Sequence, residues 1–188
     1  MRCFIAIKLP ESVKKILAGL QQELGQCGAD IRWVRPENIH LTLKFLGDIN
    51  KEAAADIVKI LEMAGEEHAA FDFEIFGTGV FPNMKSPRVL WVGLKTGELF
   101  AALHQKIEKG AASLGFKAEK RRFLPHLTLG RFRSSSGKSV LIEKIRLFEK
   151  NRFGSFNIQS VCLMQSTLKP AGAEYTIMKE VFLKKIIS

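Results

Sequence analysis

Cysteine is scarce in this chain. The three present, Cys3, Cys27 and Cys162, are odd in number, widely separated and without a C-x-x-C pair. That argues against a disulfide framework and a zinc site, and it makes a reducing cytoplasm the expected setting. Long apolar runs are also lacking, and none approaches the length of a membrane-crossing helix. The opening residues 1–8 are apolar only briefly before Lys8 and Pro10. They are too short for the apolar region of a signal peptide and read as a first strand. Acidic residues are in deficit: 19 Asp and Glu stand against 29 Lys and Arg, for a net charge of +10. The surplus favours an anionic partner: nucleic acid, a nucleotide or an acidic surface. It is spread through the chain, which argues against a charged arm. There is a single tyrosine, Tyr175, and there are only four histidines.

What is present is enough for a packed core. Hydrophobic residues make up 46% of 188, which excludes a disordered chain and suits one domain, residues 1–188, built of two interleaved lobes. Residues 2–9 read as a buried strand, and a helix from Glu11 to about Leu24 follows, with Val13, Ile16, Leu17, Leu20 and Leu24 on one side. Short strands are expected over 31–34 and 39–46, and a helix over 51–66. Phe71, Phe73 and Ile75 alternate with polar residues, so 71–94 reads as a hairpin around the proline-containing turn 81–87. A helix over 97–114, a strand over 123–132, a helix over 138–150 and late strands over 153–163 and 175–183 complete the pattern. The order lacks strict βαβ alternation. It argues for an α+β fold with mostly antiparallel sheets, and a repeated motif suggests halves related by a rough two-fold.

The two-fold rests on a tetrapeptide that appears twice. His40-Leu41-Thr42-Leu43 recurs as His126-Leu127-Thr128-Leu129, 86 positions later. In a strand, residues i and i+2 share a face, so each copy presents an imidazole and a hydroxyl together and its leucines to the other side. Side by side, the two strands line one cleft with two histidines and two threonines. Histidine titrates near neutrality, so one can remove a proton while the other supplies one. Cleavage of a phosphodiester needs both roles, on opposite sides of phosphorus. The threonines can donate hydrogen bonds to nonbridging oxygens as charge builds there, and arginines can hold the anion. No metal or other cofactor is called for. Arg121 and Arg122 precede His126. Arg131 follows it at an odd spacing and reaches the cleft only if Gly130 breaks the alternation.

Other residues have plainer readings beside functional ones. Arg88 suits a strand-edge charge, and Ser166 a turn. Tyr175 is noticeable as the only tyrosine. Phe45 has the parity of Leu41 and Leu43, so it is expected to face away from the histidines, and Trp33 is expected in the core. His68 reads as a solvated residue at a helix end, and His104 as a surface residue in mid-helix.

At the two histidines the sequence resembles the 2H phosphoesterase superfamily, whose signature is a pair of His-x-[Thr/Ser]-x motifs. The likeness is closer still to the RNA 2′,3′-cyclic phosphodiesterases, formerly called 2′-5′ RNA ligases. Residues 4–7, 33–47, 87–91 and 123–131 carry it, and so does the tail from Leu163 to Leu168 with Gly172 and Tyr175. The resemblance implies a bilobal α+β fold, two mostly antiparallel sheets with outer helices around a central basic cleft, and hydrolysis of a 2′,3′-cyclic phosphate to a 2′-phosphate. It implies His40 as proton donor to the departing 3′ oxygen, His126 as proton acceptor, and Thr42 and Thr128 as phosphate ligands. The expected substrate is an RNA end, tRNA fragments included, met by a cytoplasmic monomer without membrane contact. Arg131 is taken as a further phosphate ligand, and Arg88, Arg122, Ser166 and Tyr175 as substrate contacts. Three other functions stay open: reversible 2′-5′ joining of RNA, a non-catalytic module that binds RNA ends, and an enzyme for a cyclic phosphate of a small nucleotide.

Overall fold

A computed structural model of the chain describes residues 1–119, 122–170 and 172–185. The buried run of residues 3–7 forms the middle of β1 (Arg2–Lys8), apolar on both faces because both are covered. Helix α1 (Glu11–Gly25) buries Val13, Leu17, Leu20 and Leu24, an i, i+4, i+7, i+11 stripe. Strand β2 (Ile31–Trp33) and a 3-10 turn (Pro36–Asn38) lead into β3 (His40–Asp48). Helix α2 (Lys51–Glu67) is capped by Asn50, whose side chain accepts from the Ala53 N–H at 2.9 Å. Strands β4 (Phe71–Phe81) and β5 (Val89–Lys95) form the expected hairpin. Helix α3 (Glu98–Ser113), β6 (His126–Phe132) and α4 (Lys138–Leu147) follow. The chain ends in β7 (Arg152–Ile158), β8 (Ser160–Lys169) and β9 (Gly172–Phe182).

The late strands correct the sequence reading twice. Residues 153–163 are two strands, separated at Gln159, because β7 pairs with β4 while β8 pairs with β1 in the other sheet. Residues 165–169 belong to β8 rather than to a connection, and β8 and β9 pair along nearly their whole lengths. The strand expected over 123–132 begins only at His126, since Pro125 cannot donate to a ladder.

The described residues build two antiparallel sheets, ordered β3-β1-β8-β9 and β2-β6-β5-β4-β7. The connections cross between them. Helix α1 follows a strand of the first sheet yet packs on α4 and β7 of the second. Helix α3 follows a strand of the second sheet yet packs on α2, which covers β8 and β9 of the first. One core therefore runs through both halves, with Leu41 and Leu43 of β3 and Leu127 and Leu129 of β6 in the same cluster as all four helices. A smaller cluster of Phe4, Ala6, Cys162 and Met164, with Tyr175 against it, covers the opposite face of the first sheet.

Candidate active site

Strands β3 and β6 belong to different sheets but lie next to each other. Each carries one of the His-x-Thr pairs. The surroundings repeat. His40 Nδ1 lies 2.7 Å from the Asn38 carbonyl oxygen, and His126 Nδ1 lies 2.7 Å from that of Leu124. A carbonyl accepts only, so each Nδ1 carries the hydrogen and each Nε2 is left with its lone pair. Neither threonine hydroxyl has a protein partner among the described residues. Each histidine also has aromatic walls. Phe4 stacks on His40 at 4.9 Å and Tyr175 meets it edge-on at 5.1 Å. Phe81 meets His126 edge-on at 4.9 Å, with Trp91 at 6.4 Å. The Trp91 ring occupies the space beside Gly79, where a Cβ would come within 2.3 Å of it.

Burial behind these rings lowers the affinity of both imidazoles for a proton. The bonds to the backbone carbonyls act the other way. His126 is held down further by the positive charge of Arg131, an influence His40 does not share.

Arg131 reaches His126 because the alternation does break. Trp91 pairs with Thr128 and Leu90 with Gly130, so Leu129 is an extra residue in β6. Both Leu129 and Gly130 turn inward, and Arg131 emerges exposed. Strand β3 has the same bulge. Ala6 pairs with Thr42 and Ile5 with Lys44, leaving Leu43 extra. The consequence overturns the expectation from parity that Phe45 lies on the leucine side. It is 75% exposed, its ring 6.2 Å from that of Phe4, on the histidine side. Lys44 takes the inward place instead. Its ammonium donates to both Glu108 carboxylate oxygens at 2.9 Å and to the Lys117 carbonyl at 3.1 Å.

His104 is likewise not a surface residue. It bonds the Leu43 carbonyl, its ring centroid lies 4.1 Å from that of Phe123, and its Nε2 is buried without a partner. Ser166 sits opposite Tyr175 in the β8–β9 ladder. Arg88 and Arg122 are exposed, and neither enters the aromatic walls of the histidines. Arg121 lies outside the described residues. Sequence reading missed Phe45, Lys44 and Phe4 as parts of this region. The only signal was the repeat itself: the residues five places after each histidine, Phe45 and Arg131, occupy corresponding positions.

The model of the LigT-like phosphoesterases matches two segments, residues 7–91 and 93–175, each carrying one of the histidine tetrapeptides. The chain belongs to the LigT-like phosphoesterase family. It is 35% identical over 182 residues to the RNA 2′,3′-cyclic phosphodiesterase of Methanothermobacter thermautotrophicus, covering 97% of this chain and 98% of that one. To the protein of the same name from Aquifex aeolicus it is 31% identical, covering 97% of each. The crystal structure of the Thermus thermophilus protein TT0787 superposes with a TM-score of 0.84 at 28% identity, covering 97% of this chain and 98% of that one. Escherichia coli LigT shares the fold, at a TM-score of 0.76 and 24% identity over 97% of this phosphoesterase and 96% of LigT. Among the described residues, no helix is long and apolar enough to cross a membrane.

Proposed function

We propose that this phosphoesterase hydrolyses the 2′,3′-cyclic phosphate end of an RNA to a 2′-phosphate, using His40 and His126 and no metal. The observation that carries the reading is the duplicated pair: two Nε2 lone pairs, each fixed by an Nδ1–carbonyl bond, each on a strand face with a threonine hydroxyl that has no protein partner among the described residues. Relatives of the same length bear the name of that activity. In the reaction, His126 Nε2 takes a proton from water as its oxygen bonds phosphorus. The P–O3′ bond breaks, and protonated His40 delivers its proton to O3′. Thr42, Thr128 and Arg131 hold the nonbridging oxygens as negative charge grows. The charge of Arg131 supports giving the base role to His126, since it favours the neutral imidazole. His40 lacks that influence, and an anionic phosphate beside it raises its affinity for a proton. Phe45 offers an exposed ring near Phe4, which itself stacks on His40, for the terminal base. Ser166, Tyr175, Arg88 and Arg122 are assigned to the RNA beyond the reacting phosphate. The same reading takes residues 1–188 as one domain of two interleaved lobes, supported by the crossed packing of α1 and α3.

The test is incubation, with chelator present, of an oligoribonucleotide ending in a 2′,3′-cyclic phosphate. The expected product is a 2′-phosphate. A 3′-phosphate would reverse the leaving oxygen. No conversion would refute the reading and favour a small nucleotide substrate or a binding module.

A further inference from the structure

Arg131 reaches the histidine face only because β6 is bulged at Leu129. A bulge residue leaves the ladder, so its backbone groups need partners elsewhere. The Leu129 carbonyl finds two. It accepts from the Val34 N–H at 2.9 Å and from Gln21 Nε2 at 2.8 Å. The same Gln21 nitrogen donates to the Val34 carbonyl at 2.7 Å. Gln21 stands on α1, the helix that crosses from the other sheet, and is only 8% exposed. Its amide is oriented by its partners. Turned over, it would set its oxygen against two carbonyl oxygens. Both amide hydrogens are thus committed to one place, the backbone between β2 and the bulge.

The other bulge is held in a comparable way. There His104, on the helix that crosses in the opposite direction, bonds the carbonyl of the extra residue Leu43. Two bulges, each with its carbonyl bound by a polar side chain of a crossed helix, make a repeated device rather than an isolated contact. A buried glutamine is costly to keep in a core unless its bonds hold something in place.

We infer that Gln21 is a positioning residue: by holding the Leu129 carbonyl it sets the bulge that turns Arg131 onto the His126 face. It touches neither histidine nor phosphate itself. The effect on catalysis rests on the reading of Arg131 as a phosphate ligand, but the positioning does not.

The experiment separates the two. The His126 ring is titrated by NMR, without substrate, in the wild type and in Q21M, R131M and Q21M/R131M. The groups facing His126 are Arg131 on its own strand, Trp91 on the adjacent β5, Phe81 on β4 beyond it, and the Leu124 carbonyl. Arg131 is the charged one among them. Removing its charge in R131M is expected to raise the His126 pKa. Q21M is expected to raise it in the same direction, and the double variant to match R131M alone. A merely structural loss would lower the melting temperature without this dependence on Arg131. If Q21M does not fold, Q21N carries the test, because it keeps the amide but is too short to span both carbonyls. A His126 titration unchanged in the folded Q21 variant overturns the inference. So does a shift of the same size in the R131M background. In turnover of a cyclic phosphate, Q21M is expected to lose roughly 10- to 100-fold in kcat/KM, with no further loss on adding R131M. A wild type that converts no cyclic phosphate ends the functional reading, and the titration still decides the role of Gln21.

Discussion

Each candidate catalytic imidazole is oriented by a neutral backbone carbonyl, with no carboxylate partner among the described residues. That choice fixes the tautomer without adding a negative charge beside an anionic substrate, so both Nε2 atoms remain available to move protons. His40→Ala and His126→Ala are each expected to remove most turnover of a cyclic phosphate, and the double variant to be little worse than either single one, because groups acting as a unit are not additive. Steady-state rates on a cyclic-ended oligonucleotide check this, and full activity in either single variant would end the two-histidine mechanism. Phe45 gives a different signature. A base stacked on an aromatic ring is worth about 1–3 kcal/mol, so Phe45→Ala is expected to raise KM by roughly 5- to 100-fold with kcat little changed. An unaltered KM would mean that the terminal base lies elsewhere.

The elements show what a sequence can and cannot reveal. The apolar stripe of α1 (except Ile16, which is exposed), the alternation of β4 and the two histidine strands were all legible, because each follows from the chain's own periodicity. The bulges were not. Whether Leu43 is an extra residue depends on how β3 registers against β1, and that is a property of the pair. Parity counting therefore carried Phe45 to the wrong face and left Arg131 conditional on Gly130. Lys44 illustrates the cost of the same blindness: parity puts it on the face of His40 and Thr42, yet its side chain is 5% exposed and bound to Glu108, itself 18% exposed. Breaking such a pair leaves a charge buried alone, a loss of about 3–5 kcal/mol, whereas replacing both members by apolar residues is close to neutral. Lys44→Met is accordingly expected to lower the denaturant midpoint strongly, and Lys44→Met with Glu108→Leu to recover most of it. A double variant as unstable as the single one would show that the Lys117 carbonyl, left without its donor, matters more than the ion pair.

At the scale of the whole molecule, three of the four histidines resist protonation in the fold. His40, His104 and His126 all have folded pKa values below their ordinary one, and burial is the largest cause for each. The sign of the consequence is fixed. As pH falls past about 6.5, the unfolded chain takes up these protons first. The stabilisation is complete above that value and is lost as pH falls through the lower folded values. The melting temperature is therefore expected to be flat near pH 8 and to drop on the way to about pH 5. His104 separates this from general charge repulsion in a chain of net charge +10. It is half-buried beside Lys44 and Glu108 and bonded to Leu43. His104→Gln keeps a donor for that carbonyl but cannot titrate, so its melting curve should depend less on pH. His40 and His126 add a second test. Inorganic phosphate bound between them favours their protonated forms, so the proton and the anion bind cooperatively. Phosphate should then stabilise the protein more at pH 6 than at pH 8, although the ion itself carries less negative charge at the lower pH. Equal stabilisation at both would mean that the anion rests on the surface lysines and arginines and leaves the imidazoles untouched.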